Sequence, residues 1–232
     1  HLLLRYLKSF KVYLIIIFKS FFSRKDLNAL FQTRFETVHI LCPGPSAKKI
    51  IDHKIEKNEC VIFINHALKM VNEININQAS LFYFTSDGTR LKESVHDNLH
   101  ELMQVKSIIF ASHLFHFNLK LINKCDIFFV PKIEFSKEFG VVGQNNGPNS
   151  FSKIQKTPIM SGFGSMINSL QLAVLFQPKT IKLWGCDMLD VKNERYFDTS
   201  VPIRKEQKFD LTKNHFEIIT PKINALGISI IQ

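Results

Sequence analysis

The residues able to do chemistry come in short clusters, each just after an apolar run. Gly44, Pro45 and Ser46 follow "HILC" in "HILCPGPSAKK". Asn65 follows "VIFI", Ser86 and Asp87 follow "LFYFT", and Gly185 and Asp187 follow "TIKLW". Ser161 and Gly162 open "SGFGSMINSLQLAVLF", whose apolar residues recur at helical spacing. Glycine at such points lets a ligand approach the backbone closely. Serine and glycine at a helix start suit an anion, because the first N–H groups lack helical partners and the dipole favours negative charge. The Pro-Gly-Pro-Ser stretch is stiff, and it serves either as a plain turn or as a cradle for a phosphate or nucleotide. Singly, each cluster has an ordinary explanation: Ser161 as an N-cap, Asn65 as a strand-end residue satisfying backbone. Their shared place after successive strands is what carries information. Walker and GxGxxG patterns are absent, which sets aside a standard NTPase or NAD domain.

The elements that must position these clusters are legible as an alternation. Strand-like runs occupy Val38–Cys42, Cys60–Ile64, Leu81–Phe84, Ser107–Ala111, Asp126–Val130, Thr180–Trp184 and Gly227–Ile231. Helix-length segments fall at Asp87–Met103, His113–Asn123 and Gly162–Phe176, the last followed by Pro178. Strands alternating with helices imply an α/β fold with a mainly parallel, Rossmann-like sheet flanked by helices. In such folds ligands bind outside the carboxyl ends of the strands. Phe139–Ser150 and Val191–Asp210 break the alternation and read as loops, the second of them lid-like.

Composition bounds the class. With 232 residues, 45% of them hydrophobic and 22 of them phenylalanine, the chain can build a sizeable core. Net charge is +10, and +6 of it lies in the first 34 residues, where seven Lys and Arg face Asp26 alone. A basic leader on a mildly basic domain is not the pattern of a nucleic-acid-binding face. The leader's longest apolar run, Val12–Phe18, is short of the ~20 residues a spanning helix needs. It reads as a basic amphipathic helix lying on a membrane surface, or as a first helix packed on the core with its lysine stems snorkelling. Cys42, Cys60, Cys125 and Cys186 form no CxxC pair, and three of the four sit in or beside apolar runs as small buried hydrophobes. A reducing cytoplasm fits that usage.

Order and spacing together resemble the bacterial sialyltransferases of glycosyltransferase family 42, α/β enzymes of GT-A-like fold that use CMP-sialic acid. The residues carrying the resemblance are "CPGPS", "FINH", "MSGFGSMINSLQLAVLFQPKTIKLWGCD" and "RYFDTS", across roughly His39 to Thr199. A weaker resemblance is to the archaeal-type hydroxymethylpterin pyrophosphokinases. The first resemblance implies an inverting transfer of sialic acid or a related keto-sugar acid from a CMP donor to a glycan hydroxyl. It implies that Gly44, Pro45 and Ser46 shape the CMP pocket and that Asn65 bonds the nucleotide or its ribose. Ser161 and Gly162 would contact the donor, Gly185 and Asp187 would lie near the cytidine, and Ser86 or Asp87 would stand at the third-strand exit. His215, expected just ahead of the last helix, maps to the general base, and Tyr196 to a group assisting the departing phosphate. No metal or other cofactor is expected, because "DMLD" has the wrong spacing for a D-x-D motif. The departures are Pro43 in place of an asparagine, Leu189 in place of a tyrosine and Pro158 in place of an arginine, so some donor contacts differ.

The organisation that follows is a leader helix over residues 1–34, a nucleotide-sugar-binding domain over 35–190, a lid or acceptor loop over 191–214, and a closing helix and strand over 215–232. The expected partners are a CMP-sugar donor, a glycan or glycolipid acceptor of lipooligosaccharide or capsule synthesis, and the cytoplasmic surface of a bacterial inner membrane. Homo-oligomerisation stays open. Two other readings remain at this point: a metal-dependent pyrophosphokinase-like transferase, and a non-catalytic membrane-associated protein with a degenerate nucleotide pocket.

Overall fold

The computed structural model describes residues 32–76, 79–86, 88–105, 107–110, 126–129, 164–187 and 209–232. Among these residues seven strands make one sheet: β1 (Thr37–Leu41), β2 (Glu59–Ile64), β3 (Ser80–Thr85), β4 (Ser107–Phe110), β5 (Asp126–Phe129), β6 (Thr180–Trp184) and β7 (Ser229–Ile231). Their spatial order is β5-β4-β3-β2-β1-β6-β7, and each neighbouring pair is parallel. The chain therefore winds outward from β1 to β5, then returns to the far side of β1 for β6 and β7. The expected parallel α/β sheet is present, and the order reverses between β1 and β6. At such a reversal the connections leave in opposite directions and a crevice opens beyond the strand ends.

Strand side chains alternate between two cores. Val38 and Ile40 of β1, Ile62 of β2 and Phe82 and Phe84 of β3 pack in one buried cluster with Leu170 and Ile223. These last two come from α3 (Ser165–Leu175) and α4 (Phe209–Asn224). Leu41, Val61, Phe63 and Tyr83 face the other way, against Leu68 and Met70. That second layer is made by two 3-10 helices, Pro45–Ile50 and Asn65–Asn72, with α1 (Gly88–Asp97) and α2 (Leu99–Leu102). Strands buried on both faces read as nearly continuous apolar runs, which is why "CVIFI" and "LFYF" carry no polar alternation.

Local chemistry sets the element ends. The expected helix over Asp87–Met103 is two helices, broken at Asn98, whose φ of −133° and ψ of 40° are not helical. The long helix begins at Ser165, three residues beyond Gly162, with Gly164 at φ +87° as its N-cap. It ends before Gln177, at φ +50°, and Pro178 cannot continue it. The last strand begins at Ser229, because Gly227 turns the chain at φ +80°. Residues 1–31, with the basic leader, and the segments holding His113–Asn123, Phe139–Ser150 and 191–208 lie outside the described residues. Among the described residues no helix is long and apolar enough to cross a membrane.

Candidate functional site

The junction between β1 and β6 is built from two short loops that stay paired past the strand ends. The Cys42 N–H donates to the Trp184 carbonyl at 2.8 Å, and the Gly44 N–H to the Gly185 carbonyl at 2.9 Å. Only glycine fits at either partner. A Cβ on Gly44 would lie 2.1 Å from Asp187 Oδ2 and 2.4 Å from the Gly185 carbonyl oxygen. A Cβ on Gly185, itself at φ +67°, would lie 2.2 Å from the Cys42 carbonyl oxygen. Pro45 opens the following 3-10 helix, where its missing N–H costs nothing.

Asp187 crosses this junction. Its Oδ2 accepts from both the Ser46 N–H and the Ser46 hydroxyl, each at 3.0 Å. The stretch read as either a plain turn or a cradle therefore holds an anion of the protein's own, the Asp187 carboxylate. The turn thus fixes Asp187, and any ligand meets a carboxylate there rather than a ring of open N–H groups.

A second polar group lies over the carboxyl ends of β2 and β3. Asn65 leaves β2 in a left-handed conformation, φ +51°, which asparagine tolerates better than most residues. Its side-chain Oδ1 accepts from Thr85 Oγ1 at 2.9 Å, and its Nδ2 reaches Ser165 Oγ at 3.4 Å. Ser165 Oγ also lies 2.9 Å from Ser86 Oγ. Three strand or helix ends thus meet through hydroxyl and amide groups at the head of α3, where backbone donors are unpaired and the dipole favours negative charge. Gly164, the N-cap of α3, has no side chain to cap it.

The expected residues divide accordingly. Gly44, Pro45, Ser46, Gly185 and Asp187 meet at the β1–β6 junction, and Asn65 and Ser86 meet at the head of α3. Asp87, Ser161, Gly162 and Tyr196 lie outside the described residues. The expected position of His215 is corrected. It lies inside α4, not ahead of it, because the helix begins at Phe209. It is 3% exposed, one turn on from Thr212, whose Oγ1 is 3.5 Å from where a Cβ on Gly164 would sit. Thr85 and Ser165 were not singled out, although Thr85 adjoins Ser86 and Ser165 lies three residues beyond Gly162 in the same segment. Arg90 was missed too: its guanidinium donates to His66 Nε2 and Glu93 Oε2, both at 2.6 Å.

A third cluster has no counterpart in the sequence reading. His39, buried mid-strand on β1, has its Nε2 3.3 Å from Glu59 Oε2, and its Nδ1 accepts the Trp184 indole N–H at 3.1 Å. An indole N–H only donates, so neutral His39 carries its proton on Nε2 and gives it to Glu59. Burial, offset in part by Glu59, lowers the His39 pKa to about 4. Burial and the Lys182 ammonium also lower that of His53. For Glu59, burial is outweighed by the Glu56 N–H and by His39, and its pKa is lowered. His39, His53 and Glu59 offer three ligand atoms within 4.8 Å of one another. As arranged, however, a metal on His39 Nε2 would force the ring proton onto Nδ1, against the indole N–H. Lys182 Nζ, 3.4 Å from His53 Nε2, would add a like charge. The cluster is a closed hydrogen-bond network that ties β1, β2 and β6 together.

No family model, curated protein or solved structure matches this chain.

Proposed function

We propose that the protein transfers a CMP-activated sugar acid, sialic acid or a relative, to a glycan hydroxyl with inversion, on a Rossmann-like, GT-A-like core. The observation that supports this most is the placement of two chemically different polar groups at carboxyl ends of strands of the same sheet. Asp187, held by Ser46, is an acceptor suited to the hydroxyls or amino group of a nucleoside. Asn65, Ser86 and Ser165 at the head of α3 are donors suited to its phosphate. A nucleoside monophosphate has that polarity: donors at one end, an anion at the other.

In this reading the acceptor hydroxyl attacks the anomeric carbon and the bond to the CMP phosphate breaks. CMP leaves as a stable anion, which hydroxyl donors and a helix N-terminus stabilise without a metal. His215 would take the acceptor proton from the α4 side, and Tyr196 would assist the phosphate. A basic leader resting on the inner membrane surface would bring the domain to a lipid-borne acceptor. The burial of His215 within α4 favours a second reading, a membrane-associated protein that binds the nucleotide without transferring it.

Thermal-shift screening with CMP, UMP, GDP and ATP, with and without EDTA, tests the proposal. A shift with CMP alone, unaffected by EDTA, supports it. A shift with ATP that EDTA abolishes supports pyrophosphokinase-like chemistry instead, and no shift with any nucleotide refutes nucleotide binding altogether. His215→Ala then separates transfer from binding alone. Loss of a general base costs roughly 10²–10⁴-fold in rate, so activity retained within a few-fold removes His215 from that role.

A further inference from the structure

Cys42 and Cys186 stand at the exits of β1 and β6, on the two loops that form the crevice. Their sulfurs are 3.2 Å apart, although 144 residues separate them in the chain. Cys42 is fully buried and Cys186 is 5% exposed. The paired backbone of the two loops holds them there, through Cys42 N–H to Trp184 and Gly44 N–H to Gly185. Cys60, also buried, lies on β2 opposite Val38.

We propose that Cys42 and Cys186 are a reversible oxidation site, forming a disulfide with a peroxide as oxidant, and that this bond alters the crevice they underlie. Cys186, the more exposed thiol, loses its proton and attacks the peroxide O–O bond, giving a sulfenic acid and one water. The Cys42 sulfur then attacks the Cys186 sulfur. The S–S bond forms, the S–O bond breaks, and the hydroxide leaves with the Cys42 proton as a second water. Two thiols are oxidised and one peroxide is reduced. The hydrogen bond with Cys186 and burial hold the Cys42 thiol well above its ordinary pKa, so Cys42 is not the thiol that meets the peroxide first, and it reacts only with the adjacent sulfenic sulfur. A thiol reductant restores both groups by exchange.

A disulfide needs its sulfurs ~2.05 Å apart, so the pair must close by roughly 1 Å. The junction has little slack for that movement, since a Cβ on Gly185 would already stand 2.8 Å from Ala47 Cβ. The displacement passes along the loop to Asp187 and its two bonds from Ser46. The effect on ligand binding rests on the nucleotide reading above.

The test is mild peroxide treatment of the folded chain, followed by thiol counting under denaturing conditions and peptide mapping. The four cysteines should fall to two free thiols, with one cross-linked peptide pair joining residues 42 and 186 and full reversal by dithiothreitol. Oxidation in urea should scramble the pairing to include Cys60 and Cys125. Cys186→Ser should give no internal link. Four thiols remaining, or a link to Cys60 or Cys125 in the folded chain, overturns the proposal. CMP affinity should fall several-fold on oxidation and recover on reduction; equal affinity in both states overturns the coupling to the crevice. A reduced chain that ignores CMP refutes the nucleotide reading, while the thiol count and peptide map still decide the disulfide.

Discussion

Lowering the pH should destabilise this protein well above the carboxylate range, through His39. Its folded pKa is about 4 against 6.5 for a free imidazole, because burial disfavours the charged ring. The unfolded chain therefore binds a proton at His39 that the folded chain refuses. Stability is complete above the unfolded pKa and is lost as pH falls from 6.5 toward 4. By linkage, moving from about pH 7.5 to about pH 5 costs about 2 kcal/mol, approaching 3 kcal/mol near pH 4. The lowered pKa of His53 acts with the same sign, but that ring is partly exposed and contributes less. Glu59 is also lowered, so its contribution disappears only below 4.5 and does not enter at pH 5. Urea unfolding at the two pH values measures the difference. His39→Gln keeps a donor and an acceptor but cannot titrate, so its pH loss should shrink to the His53 share. Equal losses in wild type and His39→Gln, or an imidazole of His39 titrating near 6.5 by NMR, would refute the reasoning.

Other expectations concern packing. Gly44→Ala should cost about 1–3 kcal/mol, because the Gly185 carbonyl it meets is backbone, and Gly185→Ala should cost more because its φ is also left-handed. Gly227→Ala has open space around the new methyl and should show only the conformational penalty, about 1 kcal/mol by urea unfolding. Asn168 is fully buried and, among the described residues, neither of its side-chain polar atoms has a hydrogen-bond partner, so Asn168→Leu should raise Tm; a lower Tm would mean the amide has a partner in solution. Trp184→Phe removes the N–H that holds His39 Nδ1, and should flatten the pH dependence as His39 becomes easier to protonate.

The sheet was legible because strands buried on both faces announce themselves as apolar runs. All seven expected strands are present, and Thr180–Trp184 matches to the residue. Strand order was not legible, since nothing local to "TIKLW" says that it lies beside "TVHIL" rather than beyond "DIFF". That order is what makes Gly44 and Gly185 neighbours. Their glycines could be singled out by type, but the reason for each is the other's backbone, 141 residues away. The Pro-Gly-Pro-Ser turn read as a plain turn or a cradle, and the sequence could not say which group it holds, because Asp187 comes from the loop after another strand. His39 was hidden by its setting. A histidine inside "TVHIL" looks like an interruption, and only the pairing of β1 with β2 and β6 brings Glu59 and Trp184 to its two nitrogens. His215 was placed ahead of the helix that contains it because the start of α4, "FDLTKNH", is mostly polar and reads as loop.

The proposed CMP donor would bind across Asp187 and the head of α3. Isothermal titration of CMP into the wild type, Asp187→Asn and Ser165→Ala measures it most directly. Saturable binding to the wild type, weakened at least about tenfold (about 1.4 kcal/mol) in each variant with the fold intact by circular dichroism, is the predicted result. Absence of heat with wild-type protein, or equal affinity in all three chains, would contradict it.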